Sequence, residues 1–187
     1  DAQKKLETIV SLYDNYQASI LPVRSVGVQG DSRTYAHPAL LTGEKNWDTL
    51  SSLSTKITNE ISEINRVVYG IFFEGNPVYT SAQLYVTKGR LDTLREVDNI
   101  VNEQLFISGE YESVWQMPVV LLPLVNEKGN ETIVLRPITS QEAMTARSVP
   151  LSDKSLRIIC EKVRMIDGVG DIFYDLTHKP PGTIEWE

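Results

Sequence analysis

The last ten residues of the sequence, 178–187, hold its densest set of groups that could bind a ligand. Lys179 stands directly before Pro180-Pro181, and the fixed φ angles of the prolines predict an extended, rigid segment that positions the lysine. Gly182 permits a bend, and no helix or hairpin pattern uses the backbone amides that follow it. A fixed ammonium beside open amides predicts an anion site suited to a phosphate. The structural alternative is an edge strand that ends on a buried Trp186.

Polar residues at two other places could complete such a site. Asp31 and Arg33 fall at the tip of a predicted hairpin, where a guanidinium offers a planar fork for phosphate or carboxylate and Asp31 can accept from a ribose or a base. Gln116 stands at the entrance of a predicted strand, where its amide can contact a base edge. In the alternative interpretation, Asp31 and Arg33 satisfy their own turn and Gln116 is structural.

No catalytic or metal-binding pattern accompanies these residues. The sequence has no GxxxxGKS/T phosphate loop, no GxGxxG after a strand, and no Cys or His spacing typical of zinc. Cys160 falls in a predicted helix beside its apolar stripe, which indicates packing rather than nucleophilic chemistry. His37 and His178 lack an obvious Ser or Cys partner, and we interpret both as surface or supporting groups. We therefore expect no catalytic residue and no metal site in this chain.

The composition narrows the class of protein. With 187 residues, 41% hydrophobic and 23% charged, the chain is expected to be globular, with one sizeable core or two small domains. A net charge of -7 argues against nucleic-acid binding and requires a locally basic pocket for any anion. No stretch approaches the ~18 apolar residues that span a bilayer, and a single cysteine suits a reducing compartment, so we expect a cytoplasmic protein without a membrane partner. The chain begins at Asp1 without Met, which indicates a piece of a longer protein.

The hydrophobic pattern predicts that one order of elements, strand–strand–helix–strand, occurs twice. We expect an α+β fold of two similar subdomains, each a small antiparallel sheet with helical cover. The predicted elements are a helix over 4–16, strands 21–28 and 34–41, a helix 46–64, a strand 66–72, a connecting helix through 91–105 ended by Gly109, strands 118–124 and 132–138 around a turn at Gly129, a helix capped by Ser152 or Asp153, and a strand 168–176. The predicted domains are 1–75, a connecting segment 76–115, and 116–187 with the tail.

Two stretches of the sequence resemble a known family. They are Val26–Tyr35 (VGVQGDSRTY) and Tyr174–Glu187 (YDLTHKPPGTIEWE), and they closely resemble the C-terminal region of GMP synthase, the glutamine-hydrolysing enzyme that aminates xanthosine monophosphate (XMP). Shorter stretches fit the same family in the same order over nearly the whole chain: Gln116-Met117-Pro118-Val119, Ile138-Thr139-Ser140 and Met144-Thr145. His178 departs from the family pattern, which often has Ser there, and leaves the adjacent lysine motif intact.

The resemblance implies a role in substrate binding and assembly. In that family this region is called the dimerisation domain and supplies part of the XMP site. The chain resembles the longer variant of the family, as in animal enzymes, which has two copies of the fold. In that variant the two copies stand in for the two chains of a bacterial dimer. The resemblance therefore implies either an internal pseudo-dimer or a homodimer. Matched to the family motifs, the residues expected to contact XMP are Asp31, Arg33, Gln116, Lys179 and Glu185, with Thr183 and Ile184 as backbone donors.

The resemblance also implies that two modules of the enzyme lie outside this sequence. The glutamine amidotransferase module uses a Cys, a His and a Glu, and the ATP pyrophosphatase module uses a Ser-Gly-Gly-x-Asp-Ser loop that this sequence lacks. We therefore expect a fragment of a ligase, inactive alone, with no cofactor of its own and with ATP and Mg²⁺ bound in the full enzyme. The alternative is a non-catalytic assembly module whose tail is a β-edge docking peptide.

Overall fold

A computed structural model describes residues 1–29, 32–142 and 144–186 of the chain. Its elements, in chain order, are α1 (Ala2–Val10), β1 (Tyr16–Ile20), β2 (Ser25–Gln29), β3 (Ser32–Gly43), α2 (Trp47–Glu60), β4 (Ile64–Phe72), β5 (Thr80–Ser81), α3 (Lys88–Ser108), a short 3₁₀ helix (Glu110–Ser113), β6 (Val119–Val125), β7 (Glu131–Leu135), β8 (Ile138–Thr139), β9 (Arg147–Ser148), α4 (Asp153–Val163) and β10 (Val169–Asp175).

The predicted α+β class is confirmed, and so is the repeated order of elements. The first copy runs β2–β3–α2–β4 and the second runs β6–β7–α4–β10. Within each copy the first two strands form an antiparallel hairpin, in which Val26 lies opposite Tyr35 and Val120 lies opposite Val134. The strand after the helix is instead parallel to its neighbour, β4 to β3 and β10 to β7. The strands of each copy therefore run in mixed directions and not antiparallel throughout as predicted, because a helical crossover returns the chain to the end from which the previous strand started.

The strand β1 was not predicted from the sequence. The helix α1 buries Leu6, Ile9 and Val10 and ends at Val10, whereas the predicted helix extended to residue 16. The chain turns and forms β1, which pairs antiparallel with the second half of β3, from Tyr16 opposite Gly43 to Ile20 opposite Ala39. β3 is long enough to hold β1 along one half and β2 along the other.

The chain forms two compact units whose boundaries interleave along the sequence. The first unit contains Asp1–Gly70, Ser140–Ser148 and Asp175–Glu187, and the second contains Ile71–Thr139 and Val149–Tyr174. Each unit thus holds one copy of the repeated fold together with the segment that follows the last strand of the other copy. The division into domains 1–75, 76–115 and 116–187 stays a prediction.

Strand β4 is the centre of the core of the first unit. All seven residues from Ile64 to Gly70 are buried, as expected of a parallel strand covered on both faces. Helices α1 and α2 contribute fully buried side chains to this core, namely Leu6, Leu50, Leu53 and Ile57. The strand nevertheless carries Asn65 and Arg66, at 1% and 0% exposure. Because a buried cation must have partners, Arg66 indicates a specific polar cluster inside this unit.

Local capping explains where the helices of the second unit begin and end. Ser152 is the N-cap of α4, because its side chain accepts a hydrogen bond from the Ser155 amide, as predicted. Gly109 ends α3 in the left-handed conformation, with φ of 76°. Gly129 has φ of 81° in the hairpin turn between β6 and β7, where glycine avoids the Cβ penalty.

A carboxylate cluster fixes the segment that follows β4 onto the second unit. Asp171, fully buried in β10, accepts hydrogen bonds from the Glu74 amide at 2.7 Å and the Tyr79 hydroxyl at 2.6 Å. The carboxylate of Glu74 accepts in turn from Asn130 Nδ2 (2.8 Å), Lys128 Nζ (3.0 Å) and Asn126 Nδ2 (3.1 Å). These hydrogen bonds lower the pKa of Glu74 to about 2, whereas burial and the bond to Asp171 raise the pKa of Tyr79.

The terminal tail returns along the hairpin of the first unit. The Val28 amide donates to the Pro181 carbonyl at 2.7 Å, and the Val26 amide donates to the Trp186 carbonyl at 3.0 Å. The Gly182 amide bonds the His178 carbonyl at 3.0 Å and closes a turn around the two prolines, whose preceding peptide bonds are cis. The prediction of an extended segment at these prolines is therefore wrong. The φ angle of proline is equally compatible with a turn, and a hydrogen bond from Val28 of β2 to the Pro181 carbonyl stabilises the turn here.

Glu74→Gln should change how stability depends on pH. The folded pKa of Glu74 lies below its unfolded value of roughly 4.3, so its stabilising contribution is complete above that value and is lost as pH falls toward 2. The variant should be less stable than the parent at pH 7, and the difference should shrink as pH falls to 3. Urea unfolding at several pH values measures this. The exposed Glu161→Gln is the control, and a pH-independent difference for Glu74→Gln would contradict the assignment.

Gly27→Ala should loosen the tail. A Cβ at Gly27 would lie 2.8 Å from the Pro181 carbonyl oxygen, 2.8 Å from Thr34 Oγ1 and 2.9 Å from Asn65 Cβ. We expect a loss of about 1–3 kcal/mol in the free energy of unfolding, as for other overpacked sites. Gly89→Ala is the matched control, because a Cβ there meets nothing within 4 Å, and its effect should stay below ~1 kcal/mol. Equal urea midpoints for the two variants would show that the tail does not pack against Gly27.

Candidate functional site

The first unit brings most of the predicted ligand-binding residues onto one hairpin and the tail beside it. Arg33 is exposed on β3 and lies opposite Val28 of β2, whose amide bonds the tail at Pro181. The tail carries the other four of these residues, Lys179, Thr183, Ile184 and Glu185. Asp31 lies outside the described residues. Gln116 belongs to the second unit.

The backbone of Lys179 is fixed at both of its polar groups. Its amide donates to the Ala146 carbonyl at 2.8 Å, and its carbonyl accepts from the Ala146 amide at 3.1 Å. The neighbouring His178 is partly buried; its Nδ1 accepts from the Ser148 amide at 3.3 Å, and its Nε2 lies 3.5 Å from Ser51 Oγ. The lysine side chain therefore starts from a backbone held by the segment 140–148, as the sequence predicted for a positioned cation.

Trp186 is buried, as the structural alternative for the tail expected. Its side chain is 6% exposed, and its indole Nε1 donates to Asp175 Oδ2 at 3.0 Å. The guanidinium of Arg66 lies over the ring, with Cζ 5.0 Å from the ring centroid, in cation–π geometry. Burial of this tryptophan does not exclude a ligand at Lys179. It supplies the anchor that a rigid tail needs.

Arg66 is the residue that holds the tail, and the sequence analysis missed it. Its Nη1 donates to Asp175 Oδ2 at 2.9 Å. Around its Nη2 lie four oxygens, the Glu185 carbonyl (2.6 Å), Thr183 Oγ1 (2.6 Å), the Thr183 carbonyl (3.2 Å) and the Val26 carbonyl (3.2 Å). The available signal was an arginine in the otherwise apolar run of β4, since arginine is almost never fully buried without a partner.

The arrangement suits anion binding more than acid–base chemistry. Arg66 is neutralised locally by Asp175, so it orders the tail without presenting its charge to solvent. Arg33 is exposed and Lys179 is partly exposed, and both belong to the hairpin and tail of the first unit. The backbone carbonyl of Glu185 accepts a hydrogen bond from Arg66, whereas the residue as a whole is exposed to solvent. That the amides of Thr183 and Ile184 donate to a ligand stays a prediction.

Gln116 lines a cavity in the second unit. Its backbone pairs with Ile138, whose amide donates to the Gln116 carbonyl at 2.9 Å. The cavity has a volume of about 340 Å³, and its lining residues are Asn102, Leu105, Tyr111, Val114, Trp115, Gln116, Met117 and Pro118. Its walls combine aromatic and aliphatic side chains with the polar groups of Asn102, Tyr111 and Gln116.

The described residues contain neither a metal-binding group of side chains nor a membrane-spanning helix. Among residues 1–29, 32–142 and 144–186, no three His, Cys, Asp or Glu side chains come together so as to hold a metal ion. Over the same part of the chain, no helix combines the length and the apolar character needed to cross a bilayer.

Known proteins match this chain over nearly its whole length. The sequence model of the family described as GMP synthase C terminal domain matches residues 4–77 and 103–186, one copy of the repeated fold each. A probable glutamine-hydrolysing GMP synthase of Leptospira interrogans is 42% identical over 191 residues, covering 99% of this chain and 31% of the relative.

Other relatives are also named as glutamine-hydrolysing GMP synthases. A probable glutamine-hydrolysing GMP synthase of Caenorhabditis elegans is 31% identical over 91% of this chain and 26% of its own length. A glutamine-hydrolysing GMP synthase of Mycolicibacterium paratuberculosis is 44% identical over 111 residues, covering 54% of this chain and 21% of the relative. The chain thus spans less than a third of the length of these relatives. With the family model matching both copies of its fold, the chain belongs to the GMP synthase C-terminal domain family.

Proposed function

We propose that this chain is the region of a GMP synthase that binds and positions XMP. The observation that carries the proposal is the fixed backbone of Lys179, bridged to Ala146 on both sides and followed by a tail that Arg66 clamps. A lysine held in this way has its backbone already ordered, so binding a phosphate orders only its side chain. Membership of the family supports the choice of XMP as the nucleotide.

Each site residue has a role that its chemistry allows. Lys179 and Arg33 neutralise the phosphate, and the amides of Thr183 and Ile184 add backbone donors. The carboxylates of Asp31 and Glu185 accept hydrogen bonds from ribose hydroxyls or the base. The side-chain amide of Gln116 contacts the edge of the purine. These assignments are part of the proposal, and each is open to substitution.

The mechanism of this region is positioning. It holds XMP so that the purine 2-carbonyl faces the nucleotide-activating module, and correct placement alone can lower a barrier by several kcal/mol. The proposal assigns activation of XMP by ATP and Mg²⁺ to an ATP pyrophosphatase module, and release of ammonia to a glutamine amidotransferase module. Both lie in the part of the relatives that this chain does not cover. The complete enzyme would be a cytoplasmic C–N ligase with glutamine as amido donor.

The two copies of the fold suggest how the region assembles. We propose that they form a pseudo-dimer within one chain, in place of a dimer of single-copy chains. The alternative is an assembly module with no contact to the nucleotide. In that case a complete enzyme lacking residues 178–187 would keep its XMP affinity, and this outcome would overturn the proposed function.

Lys179→Met in the complete enzyme should raise the KM for XMP by about 10- to 100-fold, the effect of losing one or two charge-assisted hydrogen bonds of roughly 1.5–3 kcal/mol. Glutamate release by the amidotransferase module should stay close to the parent rate. Steady-state synthesis of GMP and a coupled glutamate assay measure the two quantities. Lys88→Met, at a side chain 89% exposed, is the matched control. Equal loss of both activities in the Lys179 variant would indicate misfolding, and an unchanged KM would count against the site.

A further inference from the structure

Burial of Arg66 and attachment of the tail are one event. The tail carbonyls of Thr183 and Glu185 replace the water that would otherwise solvate Nη2, and the ring of Trp186 covers the guanidinium. When the tail leaves, a cation that is now 0% exposed loses these partners inside the protein. The free energy that keeps the tail attached therefore includes the cost of removing these hydrogen-bond acceptors from Arg66.

Arginine is required for this role because of its shape. Its planar fork bonds Asp175 through Nη1 and the tail through Nη2 at the same time. A lysine at position 66 would keep the charge but place all its donors on one nitrogen. It could retain Asp175 or the tail carbonyls, but not both with good geometry.

The tail also carries residues proposed to bind the nucleotide. Arg66 bonds the tail through the carbonyls of Thr183 and Glu185 and the Thr183 hydroxyl, and these contacts use none of the charged side chains of the tail. Between Lys179 and the clamp at 183–186 lie Pro180, Pro181 and Gly182, and this turn bonds β2 through the Val28 amide. If the ligand binds only when the tail is attached, its apparent dissociation constant rises in proportion as the attached fraction falls. The affinity for the nucleotide is then set partly by a residue that never touches it.

We propose that Arg66 is a positioning residue for nucleotide binding, which holds the tail in the one arrangement that presents Lys179 to the phosphate. The proposal rests on the proposed function for the identity of the ligand. Its first half, that Arg66 holds the tail, is independent of any ligand. Its second half, that nucleotide and tail attachment stabilise each other, follows from linkage.

Two backbone amides report attachment of the tail directly. The Val26 and Val28 amides donate to carbonyls of Trp186 and Pro181, so their hydrogen exchange requires the tail to leave. The amides of Leu21 and Ile61 in the same unit donate to Pro38 and Ile57 instead, and they report the fold without the tail. Exchange at Val26 and Val28, relative to Leu21 and Ile61, is therefore a measure that a general loss of stability does not move.

The experiment compares Arg66→Lys with the parent in the complete enzyme, with and without XMP. In Arg66→Lys, exchange at Val26 and Val28 should accelerate by about 10- to 100-fold, while Leu21 and Ile61 keep their rates. XMP at 100 times its dissociation constant should slow exchange at Val26 and Val28 by about 100-fold in both proteins. Arg90→Lys is the control, since Arg90 is a partly buried arginine paired with Glu131 in the second unit, and its tail exchange should match the parent.

Unchanged exchange at Val26 and Val28 in Arg66→Lys overturns the first half, and accelerated exchange that XMP does not slow overturns the second. If Leu21 and Ile61 also exchange fast, the variant has unfolded, and Thr183→Val, which removes the tail hydroxyl that accepts from Arg66 Nη2, replaces it under the same criteria. An unchanged XMP affinity in Lys179→Met would sink the proposed function instead, while exchange without ligand would still test the hold of Arg66 on the tail.

Discussion

The structure of the first unit depends on a single buried guanidinium. Arg66 and Asp175 form an ion pair at 2.9 Å with both side chains fully buried. Desolvation of two charges is costly, and such a pair is favourable only when further hydrogen bonds satisfy its remaining groups. The tail supplies them on the arginine side, and Trp186 and the Thr177 amide supply them on the aspartate side. Loss of either partner of a buried pair costs about 3–5 kcal/mol. The tail completes the hydrogen bonding of both Arg66 and Asp175, so it is part of the fold and not an appendage.

The two copies of the fold use opposite charges at the same position. Val67-Val68-Tyr69 corresponds to Ile172-Phe173-Tyr174, which places Arg66 and Asp171 at equivalent points of β4 and β10. Arg66 receives the segment that follows β10, and Asp171 receives the segment that follows β4. In both units a fully buried charge fixes the segment that follows the other copy's last strand. The segment that follows β4 lacks the Lys-Pro-Pro motif of the tail, so the copies share this architecture although only one of the two segments carries the motif.

Local chemistry was readable from the sequence, and distant pairing was not. The cap at Ser152 and the left-handed glycines 109 and 129 follow from rules that involve only neighbouring residues. A positioned Lys179 was predicted from the prolines beside it, whereas in the structure two hydrogen bonds to Ala146 fix its backbone. The extended course predicted for the prolines was wrong, because the turn there pairs with β2. Asp175 and the tail residues that bond Arg66 lie 109 or more residues away from it, and no periodicity connects them. The strand β1 was missed because Tyr13 continues the helical spacing of Leu6, Ile9 and Val10, although α1 ends at Val10.

The interleaving of the units has a consequence for how the protein forms during translation. Arg66 leaves the ribosome 109 residues before Asp175, and the tail follows later still. At roughly 5–20 residues per second, this separation lasts on the order of 5–20 s. Throughout that interval the first seventy residues have their apolar strands and helices but not the groups that neutralise and cover the arginine. The nascent first unit therefore lacks the partners of its core arginine until Asp175 and the tail have been made.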